Sequence, residues 1–228
     1  MNGIRIAPSI LAWDLGDLER AVEISVQGGA DQVHLDVIDG HFAPNITFGA
    51  GTVKALRSRT ALKFDTHLMI ENPRAYVDKF LDAGSDIVTF HAEVLNQSSF
   101  DELERVVRGR GGEVGLAIKP KTEVPQWALD RLDKISTLVV MTVNPGFSGQ
   151  TLDATVLPKM QRMRKYIEEK GFGTDIEADG GVEPENVHEV VKMGGNILVA
   201  GAGVYGKKDP VGAIAVLRER AESARGQR

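Results

Sequence analysis

The chain switches between two hydrophobic periods eight times, and few folds accommodate such a pattern. Runs that alternate or are continuously apolar, IRIAPSIL, QVHLDVID, KFDTHLMI, DIVTFHAEV, EVGLAIKP, TLVVMTVNP, TDIEADGGV and NILVAGAGVY, are each followed by a stretch of period about 3.6. The first such stretch is LGDLERAVEISVQGG and the last DPVGAIAVLRERAES. The short runs predict strands and the longer stretches helices, and eight strand–helix units is the number that closes a parallel barrel. Gly28-Gly29, Gly84, Gly171 and Gly194-Gly195 stand where helix C-caps belong. The expectation is an α/β fold, a single (β/α)8 TIM barrel forming one domain over residues 1–228. An open doubly wound sheet is the alternative, but APSIL follows the first strand where that fold needs a glycine fingerprint. The polar end ERAESARGQR predicts a fraying helix.

In such barrels the chemistry collects at the C-terminal ends of the strands. The segment VHLDVIDG at 33–40 has the context of a buried strand, yet alternation puts His34, Asp36 and Ile38 on one side of it. Asp39 ends the same strand, and polar residues end others: Ser9, Asp65, His67, His91, Glu93, Glu177 and Asp179. Two imidazoles and two carboxylates, His34, Asp36, His67 and Asp179, are placed to converge on one divalent cation, with open positions for a substrate. Zn2+, Fe2+, Mn2+ or Co2+ suits such a donor set. Hydrogen-bonded core polarity explains any single one of these residues but poorly explains four at one end. His91 and Glu93 are candidates to support the ligands. His188 reads as a surface helix position and His41 as a solvated loop residue.

Glycines carry the second signal. PGFSGQ at 145–150, DGG at 179–181 and GAG at 201–203 follow the last three strands. Loops after strands seven and eight with a short helix N-terminus commonly hold phosphate through main-chain N–H groups, with no need of Lys or Arg. GAGVYG also matches G-x-G-x-x-G, but no further strand with an acidic residue follows it, so it is not a dinucleotide site.

Composition narrows the function classes. With no cysteine, disulfides, thiolate metal sites and a cysteine nucleophile are excluded. A net charge of −5 without a basic stripe argues against nucleic acid. The absence of a long apolar run argues against a membrane partner, and together with the lack of cysteine it gives the expectation of a cytoplasmic protein.

The segments APSIL (7–11), HLDVIDGHFAPN (34–45), THLMIENP (66–73), VMTVNPGFSGQ (140–150), EADGG (177–181) and VAGAGVYG (199–206) resemble, in order, the signatures of the ribulose-phosphate 3-epimerase family. The resemblance implies a barrel of the ribulose-phosphate-binding type acting on a small sugar phosphate, in a homo-oligomer, dimer or hexamer. It implies interconversion of D-ribulose 5-phosphate and D-xylulose 5-phosphate in the pentose phosphate pathway, with one divalent ion per subunit on His34, Asp36, His67 and Asp179. Asp36 and Asp179 would also be the acid–base pair. Substrate contacts would come from Ser9, His67, Gly146, Phe147, Ser148, Gly149, Asp179, Gly180, Gly181, Gly201 and Ala202, beside an apolar lining of Ile38, Met69 and Met141.

Three positions depart from the family's pattern: Ile38 stands for a usual Met, Ser148 for a usual Gly and Ala202 for a usual Ser. Three other readings stay in view. An epimerase of a six-carbon ketose phosphate such as allulose 6-phosphate shares the motifs. Phosphate-barrel lyases and decarboxylases carry D-x-K-x-x-D, where this strand has Ile38 in place of the lysine. A sugar-phosphate sensor would not need two facing carboxylates.

Overall fold

The computed structural model describes residues 2–226. Eight parallel strands run β1 Arg5–Pro8, β2 Gln32–Ile38, β3 Lys63–Met69, β4 Ile87–His91, β5 Glu113–Ile118, β6 Thr137–Met141, β7 Asp175–Asp179 and β8 Ile197–Ala200. Seven adjacent pairs are joined by continuous parallel ladders, and the seam between β1 and β2 is a single Ser9–His34 bridge. The result is a nearly closed barrel.

Helices α1 Leu18–Gln27, α2 Ala50–Arg57, α3 Val77–Ala83, α4 Gln97–Gly109, α5 Gln126–Leu129, α6 Leu157–Lys170, α7 Val187–Lys192, α8 Ala202–Tyr205 and α9 Pro210–Arg225 connect the strands or follow the last of them. Their ends follow local chemistry. Asn96 opens α4 in a reciprocal capping box with Ser99, and Asp209 caps α9 just before Pro210. Gly84 and Gly171 close α3 and α6 in the left-handed region. Helix α9 continues to Arg225; the last two residues of the expected fraying end lie outside the described residues.

The fifth helical stretch is shorter than EVPQWALDRLDK predicts. The chain leaves α5 at Asp130, which accepts a hydrogen bond from Gln126 Nε2 at 2.8 Å, and continues as a 3-10 turn over Leu132–Lys134. Arg131 is drawn sideways onto Asp101 of α4 by two bonds, of 2.6 and 3.0 Å, while Leu132 becomes fully buried. Tertiary docking thus interrupts a helical pattern that the sequence carries further.

Strand β2 shows how the wall divides. All seven of its residues are buried. Val33, Leu35 and Val37 join the large apolar core between strands and helices, with Phe64, Leu68, Phe90, Leu116, Leu138 and Leu198. The alternate set, Gln32, His34, Asp36 and Ile38, faces the barrel interior.

Candidate metal centre and active site

Alternation on β2, β3 and β7 aims His34, Asp36, His67 and Asp179 at one point near the C-terminal end of the barrel, all of them buried. His34 Nε2 lies 3.4 Å from Asp36 Oδ1 and 3.8 Å from Asp179 Oδ2. His67 Nδ1 lies 3.2 Å from Asp179 Oδ2 and 3.9 Å from Asp36 Oδ1. His34 Nε2, His67 Nδ1 and Asp179 Oδ2 are each buried without a hydrogen-bond partner. Orphaned donor atoms at such spacings need a reason. Ion–donor distances of about 2.0–2.2 Å in a tetrahedral site put neighbouring donors roughly 3.3–3.6 Å apart, and the separations here, 3.2 to 3.9 Å, bracket that spacing. The four residues therefore fit a divalent cation and could hold one.

Around these donors lies a polar interior. His34 Nδ1 is 3.0 Å from Asp65 Oδ2, an oxygen that also accepts from Gln32 Nε2 at 2.9 Å, and 3.3 Å from Glu177 Oε1. Burial alone would push the His34 imidazolium down, but the carboxylates of Asp36 and Asp65 overcome it and raise His34 well above the ordinary histidine value. Burial would likewise raise Asp36; the charges of His34 and His67 and the hydrogen bond from Ser9 win, holding it at about 2. At Glu177 the opposing pull of His34 is too weak to win. Burial, then the charge of Asp65, pushes it up to about 8, so at neutral pH it is largely a neutral acid.

On the other side, His67 Nε2 is 2.9 Å from His91 Nε2, and His91 Nδ1 is 2.9 Å from Glu93 Oε2. The two imidazoles lie nearly parallel, 14° apart with centroids 5.0 Å apart, and meet edge to edge through this bond, while Phe42 covers His91 at 4.4 Å.

Above the cluster opens a cavity of about 590 Å³, its solvent-filled mouth included. Its lining contains Ser9, Asp36, Ile38, Met69, Met141, Gly146, Phe147, Ser148, Gly149, Asp179, Gly180, Gly181, Gly201 and Ala202, every expected substrate-side residue but one. The exception is His67, which is fully buried beneath the cavity and does not line it. The resemblance makes it a direct substrate contact; here it stands among the four donors and against His91. Ser9 lines the cavity, but its hydroxyl donates to Asp36 Oδ2 at 2.5 Å. Ile38, Met69 and Met141 form a separate apolar cluster with Ala43, Leu11 and Phe42.

Among the described lining residues there is no Lys or Arg, and the one acid outside the cluster, Glu183, is paired with Lys207 at 2.7 Å. Gly181 holds φ +64°, and a Cβ there would meet Leu152 N at 2.3 Å. The loop at 144–150 is tied by Gln150 Nε2 to the carbonyls of Asn144 and Phe147, and by Asn45 Nδ2 to Gly146 O. Phe147 at its tip remains 58% exposed.

Sequence reading assigned no part to Gln32, although it shares the i, i+2, i+4 row with His34 and Asp36. Asp65 and Glu177 were visible as strand-end polar residues, but their pairing with His34 depends on neighbours far away in the chain. His41 is exposed, its ring on the Asp39 carbonyl at 3.1 Å, and His188 is partly exposed on α7.

The chain matches the model of the "Ribulose-phosphate 3 epimerase family" over residues 5–205. The ribulose-phosphate 3-epimerase of Bacillus subtilis is 41% identical over 216 residues, covering 94% of this chain and 98% of that one. The Mycobacterium tuberculosis enzyme of that name is 40% identical over 223 residues, covering 98% and 95%. The chloroplastic ribulose-5-phosphate-3-epimerase of Arabidopsis thaliana is 40% identical over 217 residues, covering 93% and 75%. The solved structure of KGPDC from Streptococcus mutans in complex with D-R5P shares the fold, with a TM-score of 0.73 and 16% identity over 97% of this chain and 98% of that one. Identity near 40% along nearly the whole length, with the six signature segments gathered around one cavity, establishes that this chain belongs to the ribulose-phosphate 3-epimerase family.

Proposed function

We propose that this epimerase inverts C3 of D-ribulose 5-phosphate to give D-xylulose 5-phosphate, and the reverse, by passing protons between substrate and two carboxylates, Asp36 and Asp179. The observation that carries the reading is that these two acids, on separate strands, both line the cavity while forming half of a four-donor cluster. His34, Asp36, His67 and Asp179 would hold the divalent ion. When bound, such an ion offsets negative charge developing on the ketose oxygens, without which a weak carboxylate base could not remove a carbon-bound proton.

Inversion needs a proton taken from one face of C3 and another delivered to the opposite face. Asp36, ionised and held by Ser9, is ready to accept; Asp179 serves the other face, and the roles exchange with direction. Ile38, Met69 and Met141 keep the reacting carbon dry, which strengthens every charge interaction around it. The loops Gly180–Gly181 and Gly201–Gly203 offer main-chain N–H groups for the phosphate, consistent with a lining that has no cationic side chain. Ala202 in place of a usual Ser costs one hydroxyl donor there. A lyase reading is disfavoured because Ile38, in an apolar cluster, occupies the lysine's place.

A cytoplasmic, homo-oligomeric enzyme of one domain belongs to the same reading. No described helix is long and apolar enough to cross a membrane. Sedimentation of the purified protein reads the copy number.

The test is a coupled assay for interconversion of the two pentulose phosphates, with and without a chelator, alongside allulose 6-phosphate. Pentulose turnover lost on chelation and restored by Zn2+, Fe2+, Mn2+ or Co2+ supports the reading. Turnover indifferent to chelation removes the metal, and preference for the hexulose moves the enzyme to the six-carbon substrate.

A further inference from the structure

We infer that Glu93 and His91 are positioning residues that fix where the proton of His67 sits, and thereby decide whether His67 offers a lone pair or an N–H to the cation site. The inference rests on the metal reading above and asks what sets its ligand chemistry.

The counting begins at the far end. Glu93 Oε1 accepts the backbone N–H of Lys119 at 2.7 Å, and Oε2 faces His91 Nδ1 at 2.9 Å. A carboxylate has no proton to give, so His91 Nδ1 carries one. His91 is fully buried between the Phe42 and His67 rings, where burial opposes a second proton more strongly than the Glu93 carboxylate favours one. His91 Nε2 is then a lone pair. At 2.9 Å it requires the facing His67 Nε2 to be the donor, which leaves His67 Nδ1 as the lone pair aimed at Asp179 and Asp36.

The anchor of this relay is held independently. Lys159, only 4% exposed near the start of α6, donates from Nζ to the carbonyls of Lys119, Pro120 and Thr122 at 3.1, 2.8 and 2.7 Å. It clasps the loop whose N–H occupies the first Glu93 oxygen.

Glu93→Gln separates this role from packing, because the shape is kept and one acceptor becomes a donor. If Lys119 N–H keeps the remaining oxygen, the amide NH2 faces His91 Nδ1 and makes it accept. The relay then reverses: His91 Nε2–H donates to His67 Nε2, and the His67 proton moves to Nδ1, into the cation site. Chelator-stripped enzyme titrated calorimetrically with Zn2+ and with Co2+ should show the variant about 10- to 100-fold weaker than wild type, the usual range for loss of such a partner. KM at saturating metal should be unchanged. His91→Phe keeps a ring between Phe42 and His67 without the acceptor, so it should also weaken binding, and it carries the test if Glu93→Gln does not fold. A wild type that binds neither ion overturns the metal reading and the relay with it. A wild type that binds, with folded variants within twofold of it, leaves the metal reading standing and overturns the relay.

Discussion

The two faces of the same strand wall are built on opposite rules. Outward, β2 to β8 present Val, Leu, Ile and Phe to the helices, and these join one continuous core. Inward, the wall carries Gln32, His34, Asp36, Asp65, His67, Thr89, His91, Glu177 and Asp179, all buried as well. Of the nine buried side-chain polar atoms without a partner among the described residues, eight belong to this inner set; the ninth is Trp13 Nε1. Natural interiors rarely leave such atoms unpaired, and each costs about 1–3 kcal/mol. The outer face therefore supplies the stability that the inner face spends on its chemistry.

The largest expected effect comes from removing an inner acid. Asp36→Asn and Asp179→Asn should each lower kcat by about 10²- to 10⁴-fold, the scale of a general acid or base. Metal content must be measured in parallel, since both are candidate ligands. In heavy water the wild type should place deuterium at C3 of the product, because the acid that returns the proton is not the base that removed it. Full retention of the original hydrogen would replace the two-carboxylate account with a single shuttling group.

Phe90→Ala tests the opposite face. Phe90 is fully buried on β4, in register between Leu68 and Leu116. Its truncation should cost about 3–5 kcal/mol in chemical denaturation. Turnover per folded molecule should stay within about threefold, well under the 1.4 kcal/mol that a tenfold change represents. A hundredfold loss in the folded fraction would mean that the outer wall is part of the catalytic apparatus.

A smaller effect is expected at Glu177. Its folded value near 8 stands above its ordinary 4.5, so its contribution to stability is complete below pH 4.5 and is lost as pH rises through about 8. Glu177→Gln fixes the neutral form. In chelator-stripped protein the variant should match wild type near pH 5 and exceed it in denaturation midpoint above pH 8. Parallel curves across that range would show that Glu177 is ionised in the fold.

The two faces were also unequally legible. The outer face announces itself in single strands: Val33-Leu35-Val37 against His34-Asp36 is a period-two signal needing nothing beyond the local sequence. Eight repetitions of such strands with helical stretches sufficed for the barrel. The four donor residues were legible because buried carboxylates and imidazoles at strand ends are costly without a purpose. What the sequence does not carry is pairing across strands. That Asp65 and Glu177 both lean on His34, or that Lys159 clasps the loop behind Glu93, depends on which strands the barrel makes neighbours. The broken fifth helix is of the same kind, because Arg131 turns toward Asp101 about one helix away.

The smallest expected effect sharpens the boundary between the faces. Ile38 points inward, yet it belongs with Met69 and Met141 in an apolar cluster at the cavity, at the position where the family resemblance implies a third Met. Ile and Met have similar volume, and such exchanges usually cost under about 1.5 kcal/mol. What changes is polarisability: a thioether beside a carbon that gains electron density responds to it, whereas a branched alkyl group does not. If that response is worth roughly 0.5–1 kcal/mol, Ile38→Met should raise kcat about two- to fivefold. KM should not move, because the charge develops only after binding. Steady-state kinetics in both directions decides it. A change in KM with kcat fixed would mean that position 38 shapes the pocket for the ground state, and no change in either would mean that bulk alone is required there.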